Sequence, residues 1–183
     1  MHEVELKQPV FSEEKFRELI VYIASRCQYD QKAGDTKLNK ILFYSDFMYY
    51  AKHGRPITGE EYLKQQFGPI SKHLKAVREV MDGHDLHVFK RPLLRYEQTR
   101  TIPTREANLR LFEAAEIEMI DYVIDALRHH DAESVSELTH MLKGWQMTPT
   151  GGTIPYESVF LPDKQDSYVS EHELGVLKRL AGV

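Results

Sequence analysis

The chain has 183 residues, of which 42% are apolar and 28% charged, an ordinary balance for a globular protein with one well-buried core. A formal net charge of −4 argues against binding nucleic acid on its own. No apolar run could cross a bilayer and the first residues lack a secretory pattern, so we expect a cytoplasmic protein without a membrane partner. The single cysteine, Cys27, excludes an internal disulfide and a site of several thiolates.

The first predicted helix begins after Ser12, a suitable N-cap, and runs to about Cys27. Phe11 lies where it can pack back on this helix as a hydrophobic staple. The helix carries apolar residues at helical spacing on one face, and we interpret the cysteine among them as a small buried side chain. This face consists of Phe16, Leu19, Ile20, Ile23, Ala24 and Cys27.

The second predicted helix is rich in aromatic residues and ends at Gly54, which can adopt the left-handed conformation of a C-cap. Asp35 or Thr36 can cap its start. Because apolar residues surround most of its circumference, the pattern predicts a helix buried at the centre of the fold. We interpret its aromatic residues as core packing rather than as a cofactor site.

A strand is predicted within residues 62–67, followed by a third helix that has Pro69 in its first turn and ends at Gly83. Alternating apolar and polar residues then predict a β-hairpin from Leu86 to Phe89 and from Leu94 to Ile102.

Ile117, Ile120 and Ile124 mark a fourth helix, and Ser134 has the spacing to Glu137 of a capping box that opens a fifth. Residues 148–165 are rich in Pro and Gly and predict an ordered surface loop. A short C-terminal helix is predicted over 170–183. The expected fold class is α+β, mainly α: one compact helical domain over 1–183 with a small antiparallel β-hairpin or sheet.

Several short motifs occur in a characteristic order. In these motifs the chain resembles the Panacea, or SocA-like, antitoxin domains of bacterial and phage toxin–antitoxin systems, most strongly over 16–160. It departs from the family pattern at Phe67, where Tyr is common, and at Asn39, where Gln is expected. The matching residues are Lys37, Leu38, Lys40, Leu42, Tyr44, Gly54, Pro56, Ile57, Gly59, Tyr62, Gly68, Pro69, Ile70, Leu138, His140 and Trp145.

The resemblance implies an antitoxin that binds a cognate toxin encoded beside it, without being an enzyme and without a cofactor. We interpret most motif residues as structural. Two alternatives stay open: a bacterial or phage regulator that binds nucleic acid through a basic hairpin, and an adaptor that delivers a toxin to a protease. The identity of the toxin and the oligomeric state, including a homo-oligomer, do not follow from the sequence.

Two charged segments are candidate partner-binding surfaces, and we expect their side chains to be exposed. Bases outnumber acids between His87 and Arg105, whereas acids dominate between Glu113 and His140. Such segments can steer a charged partner, although a charge run is also typical of a merely solvated face. The candidate residues are Lys90, Arg91, Arg95, Arg100, Glu116 and Asp121.

The common motifs for acyl transfer, nucleotide hydrolysis and zinc proteolysis are absent. His84, Asp85 and His87 could bind a metal ion, but a solvated turn fits their position between a helix and a strand better. His129 and His130 are interpreted as stabilising a helix end. His140 and Trp145 could belong to a site, yet such a pair more often packs together. We therefore predict no catalytic, cofactor or metal site.

Overall fold

The computed structural model describes residues 9–94 and 96–161. Arg95 and the C-terminal helix predicted over 170–183 lie outside the described residues. Helices dominate and are joined by two separate two-stranded antiparallel sheets, which confirms the mainly helical α+β class. The elements are α1 (Glu13–Cys27), α2 (Asp35–His53), β1 (Tyr62–Gln65), β2 (Gly68–Ser71), α3 (Leu74–Met81), β3 (Leu86–Pro92), β4 (Glu97–Pro103), α4 (Ala114–Leu127), α5 (Ala132–His140), α6 (Lys143–Met147) and 3-10 helices at Leu109–Leu111 and Tyr156–Phe160.

The start of α1 follows the sequence prediction. The Ser12 hydroxyl accepts a hydrogen bond from the Lys15 backbone N–H over 3.4 Å. Phe11 meets Phe16 edge to face, with 5.4 Å between ring centroids, which is the predicted staple. The predicted apolar face, Cys27 included, is buried.

Helix α2 lies at the centre of the fold and packs against α1, α4, α5 and β2, as its all-round apolar surface predicts. It ends at Gly54, whose φ of 71° and N–H bond to the Tyr50 carbonyl confirm the C-cap. The prediction that Asp35 or Thr36 caps its start is wrong, because the N-cap is Gly34 and makes no side-chain bond. The Asp35 carboxylate instead forms an ion pair with Arg78 of α3.

The prediction that Gly68 and Pro69 open a helix is also wrong. They begin β2, which pairs with β1 so that Gln65 lies opposite Gly68, and α3 starts only at Leu74. Gly68 has a φ of 101°, and a Cβ there would lie 2.4 Å from the Lys40 Nζ atom. Pro69 fits in a strand whose outer side needs no N–H donor. The residues between the paired strands form a tight turn rather than a helix entry.

The second sheet is the predicted hairpin with a shifted turn: β3 continues past the predicted end at Phe89 to Pro92, and β4 begins at Glu97 rather than at Leu94. Strands β3 and β4 pair from Leu86 opposite Pro103 to Pro92 opposite Glu97. Strand β4 packs against α1 and α2. Because Gln98 and Arg100 are buried, this attachment to the helical core extends close to the turn.

Helix α4 carries a capping box in which the Glu116 carboxylate accepts the Glu113 N–H over 2.9 Å. Helix α5 begins earlier than predicted: Asp131 is the N-cap and Ser134 is the third helical residue. The Ser134–Glu137 box is therefore wrong, because the Asp131 carboxylate already accepts the Ser134 N–H over 3.0 Å.

The Pro- and Gly-rich segment, which the structure describes up to residue 161, lies beside β1 and forms hydrogen bonds with it. The Ile154 N–H donates to the Tyr62 carbonyl over 2.8 Å, and the Lys64 N–H donates to the Gly152 carbonyl over 2.9 Å. Ile154 and Tyr156 are buried, so this part of the chain is ordered but belongs to the core instead of merely crossing the surface. Within the described ranges, none of the helices is both long and apolar enough to span a bilayer.

Candidate partner-binding surface

The two motif lysines of α2 point inward, and each has an exposure of 1%. Lys37 donates to the Asp30 carboxylate over 2.6 Å and to the Arg128 carbonyl over 2.9 Å. These bonds tie α2 to the α1–α2 loop and to the end of α4. They leave the Lys37 ammonium no access to a partner.

Lys40 binds the turn between β1 and β2. Its ammonium donates to the Phe67 carbonyl over 2.8 Å and to the Pro69 carbonyl over 3.4 Å. No carboxylate of the described residues forms an ion pair with it, and burial lowers the pKa of Lys40 to about 7. Lys40 therefore stabilises the turn by binding neutral carbonyl oxygens, and burying its ammonium costs desolvation free energy.

A buried polar network connects α2 to β1. The Asp46 carboxylate, fully buried, accepts bonds from the Thr58 hydroxyl over 2.6 Å and from the Tyr62 hydroxyl over 2.8 Å. Burial raises the pKa of Asp46 to about 6. Glu60, also fully buried, accepts from the Ser71 hydroxyl over 2.8 Å. Since both carboxylates are enclosed and occupied, they stabilise the fold and do not form an accessible acid–base pair.

Sequence analysis missed Asp46 and Glu60. The signal was faint: an acid inside an otherwise apolar helix, followed by a hydroxyl-bearing residue, Thr58, beyond the helix end. A buried carboxylate needs such donors.

The other motif residues lie in the core or at turns. Leu38, Leu42, Tyr44 and Tyr62 are buried. Gly59 has a φ of 71°, and a Cβ there would lie 2.4 Å from the Val10 carbonyl oxygen. A side chain at this position would collide with backbone.

His140 and Trp145 stack on each other with 4.1 Å between ring centroids and an interplanar angle of 26°. The Lys64 ammonium lies 4.1 Å from the centre of the indole ring, a cation–π contact. Burial lowers the pKa of His140, which favours the neutral imidazole in this stack. The two motif residues pack together, as the sequence favoured.

In the cluster of His84, Asp85 and His87, the Asp85 carboxylate is already bound by two arginines. Asp85 accepts from Arg105 over 2.7 Å and from Arg17 over 3.1 Å, and the Arg105 guanidinium leads the causes that lower the pKa of Asp85. In the part of the chain that the structure describes, no three His, Cys, Asp or Glu side chains converge closely enough to hold a metal ion.

Most side chains of the predicted basic surface are already bound to other groups of the protein. Arg100 has an exposure of only 5% and donates to the carbonyls of Gln28 over 2.9 Å and Ala33 over 2.8 Å, and to that of Asp30. The expectation that Arg100 is exposed is wrong, because its guanidinium closes the α1–α2 loop. Arg91 binds the side chain and carbonyl of Gln31 in the same loop.

Two further bases of this segment have acidic partners. The exposed Lys90 pairs with Glu97 over 2.9 Å. Arg105 pairs with Glu18 over 2.7 Å and also binds Asp85. The segment therefore presents less free positive charge than its composition indicates.

Of the two predicted acidic residues, one is buried and one is partly exposed. Glu116 has an exposure of 0% and pairs with Lys15 over 2.6 Å and with Arg55 over 3.4 Å, so the expectation that it is exposed is wrong. Its carboxylate stabilises the start of α4. Asp121 is one-third exposed and accepts from Tyr22 over 2.8 Å.

Exposed apolar residues concentrate at the turn end of the second hairpin. We call Phe89, Leu93, Leu94 and Tyr96 the hairpin tip; their exposures are 46%, 36%, 106% and 59%. A smaller exposed pair, Phe67 and Ile70, lies on the first hairpin. Large exposed apolar side chains gathered in one place mark interaction surfaces more often than those scattered singly.

A small, partly open pocket lies between α1, α2 and β4. Its volume is about 20 Å³, and it is lined by apolar residues that include Ile23, Cys27 and Leu38. A space of this size holds no more than a water molecule. The exposed surface, rather than this pocket, is where a partner can bind.

The described residues thus define a small helical domain whose charged motif lysines are internal and whose second hairpin carries a group of exposed apolar side chains. A family model described as "Antitoxin SocA-like, Panacea domain" matches residues 38–146. The match covers more than half of the chain, and the protein belongs to this antitoxin family, as its motifs predicted. No curated protein matches the chain.

Proposed function

We propose that this protein neutralises a cognate toxin, encoded beside it, by binding the toxin directly in the cytoplasm. Membership of the SocA-like antitoxin family is the observation that carries the proposal. Neutralisation by binding requires a complementary surface with apolar or Arg anchors and no chemistry on the antitoxin's side. The exposed hairpin tip supports this form of recognition.

The regulator that binds nucleic acid through the basic hairpin has less support. Such binding needs several bases free to reach phosphates. Arg100 is buried against carbonyls, Arg105 pairs with Glu18 and Asp85, and Lys90 pairs with Glu97.

Co-expression with the adjacent gene tests the proposal. We expect this protein to restore growth to cells that express the adjacent protein, and the two purified proteins to elute as one complex in size-exclusion chromatography. Growth arrest that persists although both proteins are soluble would contradict neutralisation.

The amount of toxin separates direct binding from delivery to a protease. Immunoblotting of rescued cells should show as much toxin as in cells that carry a catalytically inactive toxin and no antitoxin. A rescue accompanied by loss of the toxin band, reversed in a protease-deficient host, would favour the adaptor instead.

A further inference from the structure

We propose that the hairpin tip is the part of this antitoxin that contacts the toxin, and that it inserts into an apolar cleft rimmed by acidic residues. The inference rests on the proposed function. Four large apolar side chains within eight positions are at least one-third exposed, and Leu94 is fully exposed. None of the four belongs to the hydrophobic core.

Side chains close to the turn end of the hairpin bind it to the α1–α2 loop. The guanidinium of Arg100 binds three carbonyls of the α1–α2 loop, and the side chains of Arg91 and Gln98 bind Gln31 of the same loop. The turn is closed by a 2.9 Å bond from the Leu93 N–H to the Tyr96 carbonyl. A surface that is already ordered loses less entropy on binding.

Positive charge beside the turn end of the hairpin determines the kind of partner. Lys32 and Arg91 donate to carbonyl or amide oxygens, and neither forms an ion pair with a carboxylate of the described residues. The nearby Asp30 is already bound by Lys37. An apolar tip beside two cations that bind only neutral oxygens of the described residues complements an apolar cleft with an acidic rim.

Binding of the purified product of the adjacent toxin gene, measured by isothermal titration calorimetry, tests the tip. Leu94→Asp should weaken binding at least tenfold, because it places a charge in the apolar cleft, and should leave the melting temperature unchanged. Phe67→Asp is the matched control, since Phe67 is 69% exposed on the other hairpin; it should bind as the wild type does.

The outcomes separate the two proposals. If the wild type does not bind the toxin, the proposed function fails and the inference fails with it. If the wild type binds and Leu94→Asp binds equally well, the tip is not the contact and only the inference is overturned. Loss of binding by Phe67→Asp alone would assign the contact to the first hairpin.

Salt dependence tests the acidic rim. Raising the salt concentration should weaken wild-type binding, and Arg91→Gln, which keeps an amide able to bind Gln31, should reduce that dependence. An identical salt dependence for both proteins would overturn the acidic rim.

Discussion

Lys40 shows how a single residue can set the pH response of this fold. Its ammonium is buried against the Phe67 and Pro69 carbonyls without an acid partner, and its pKa falls from 10.5 to about 7. Above pH 7 the folded protein holds Lys40 neutral, whereas the unfolded chain stays protonated up to about pH 10. Because the unfolded state then binds more protons, this residue increases stability as pH rises through this window.

Lys40→Met should remove that rise. Between pH 7 and pH 9 the stability of the wild type should gain about 2 kcal/mol relative to the variant, measured by urea unfolding at each pH. The exposed Lys75→Met on α3 is the control and should show a flat difference. A flat difference for Lys40→Met as well would mean that the buried ammonium stays charged. Asp46, with a pKa of about 6, titrates below this window.

Residue-level predictions succeeded where the deciding interaction is local. Ser12, Phe11 and Gly54 act on neighbours no more than five positions away, so their spacing in the sequence was sufficient. Asp35 was misassigned because its partner, Arg78, lies 43 positions away. The burial of Glu116 was missed for the same reason, since Lys15 is 101 positions away.

At the scale of elements, the second hairpin depends on one buried guanidinium. Arg100→Met should lower the free energy of unfolding by roughly 2–4 kcal/mol, since carbonyls of the α1–α2 loop lose a charged donor. Urea denaturation followed by circular dichroism measures the loss.

Lys90→Met on the same hairpin is the comparison. Lys90 makes only an exposed ion pair with Glu97, which contributes about 0–1 kcal/mol. Equal effects for Arg100→Met and Lys90→Met would show that Arg100 is not an anchor.

The first hairpin shows why a motif can predict the wrong element. Gly-Pro suits a helix entry, yet proline is equally tolerated in an edge strand. Contacts with α2 favour the strand over the helix. Lys40 binds the turn carbonyls, and the Ser71 N–H donates to Asn39 of α2 over 2.8 Å. The β3–β4 hairpin carried its own alternation, so its existence was predicted correctly, although its turn lies between Pro92 and Glu97 rather than between Phe89 and Leu94.

The whole molecule extends beyond the family match, which ends at residue 146. The segment that follows inserts Ile154 and Tyr156 into the core, and the Tyr156 hydroxyl donates to the Glu60 carbonyl over 2.6 Å. The fold class and the central helix followed from composition and periodicity. The closure by this segment did not, because Pro and Gly are typical of loops whether or not they are covered.

Tyr156→Ala tests whether this closure belongs to the cooperative fold. The variant should lose about 3–5 kcal/mol of stability, as expected for truncating a buried aromatic side chain. Tyr156→Phe should lose only about 1 kcal/mol, since it removes one hydrogen bond and keeps the ring. Differential scanning calorimetry of both variants is the measurement. An unchanged transition for Tyr156→Ala would place residues after 147 outside the cooperative unit.

Three buried cations of this molecule share one property: each donates hydrogen bonds to main-chain carbonyl oxygens. Lys40 holds the carbonyls of Phe67 and Pro69, Lys37 that of Arg128, and Arg100 those of three loop residues. Every amino acid offers the same carbonyl, so these contacts, apart from the Lys37–Asp30 ion pair, do not depend on the side chains of the bound segments. Substitutions can therefore change the side chains that the turns expose to a partner while the hydrogen bonds to the backbone carbonyls are retained.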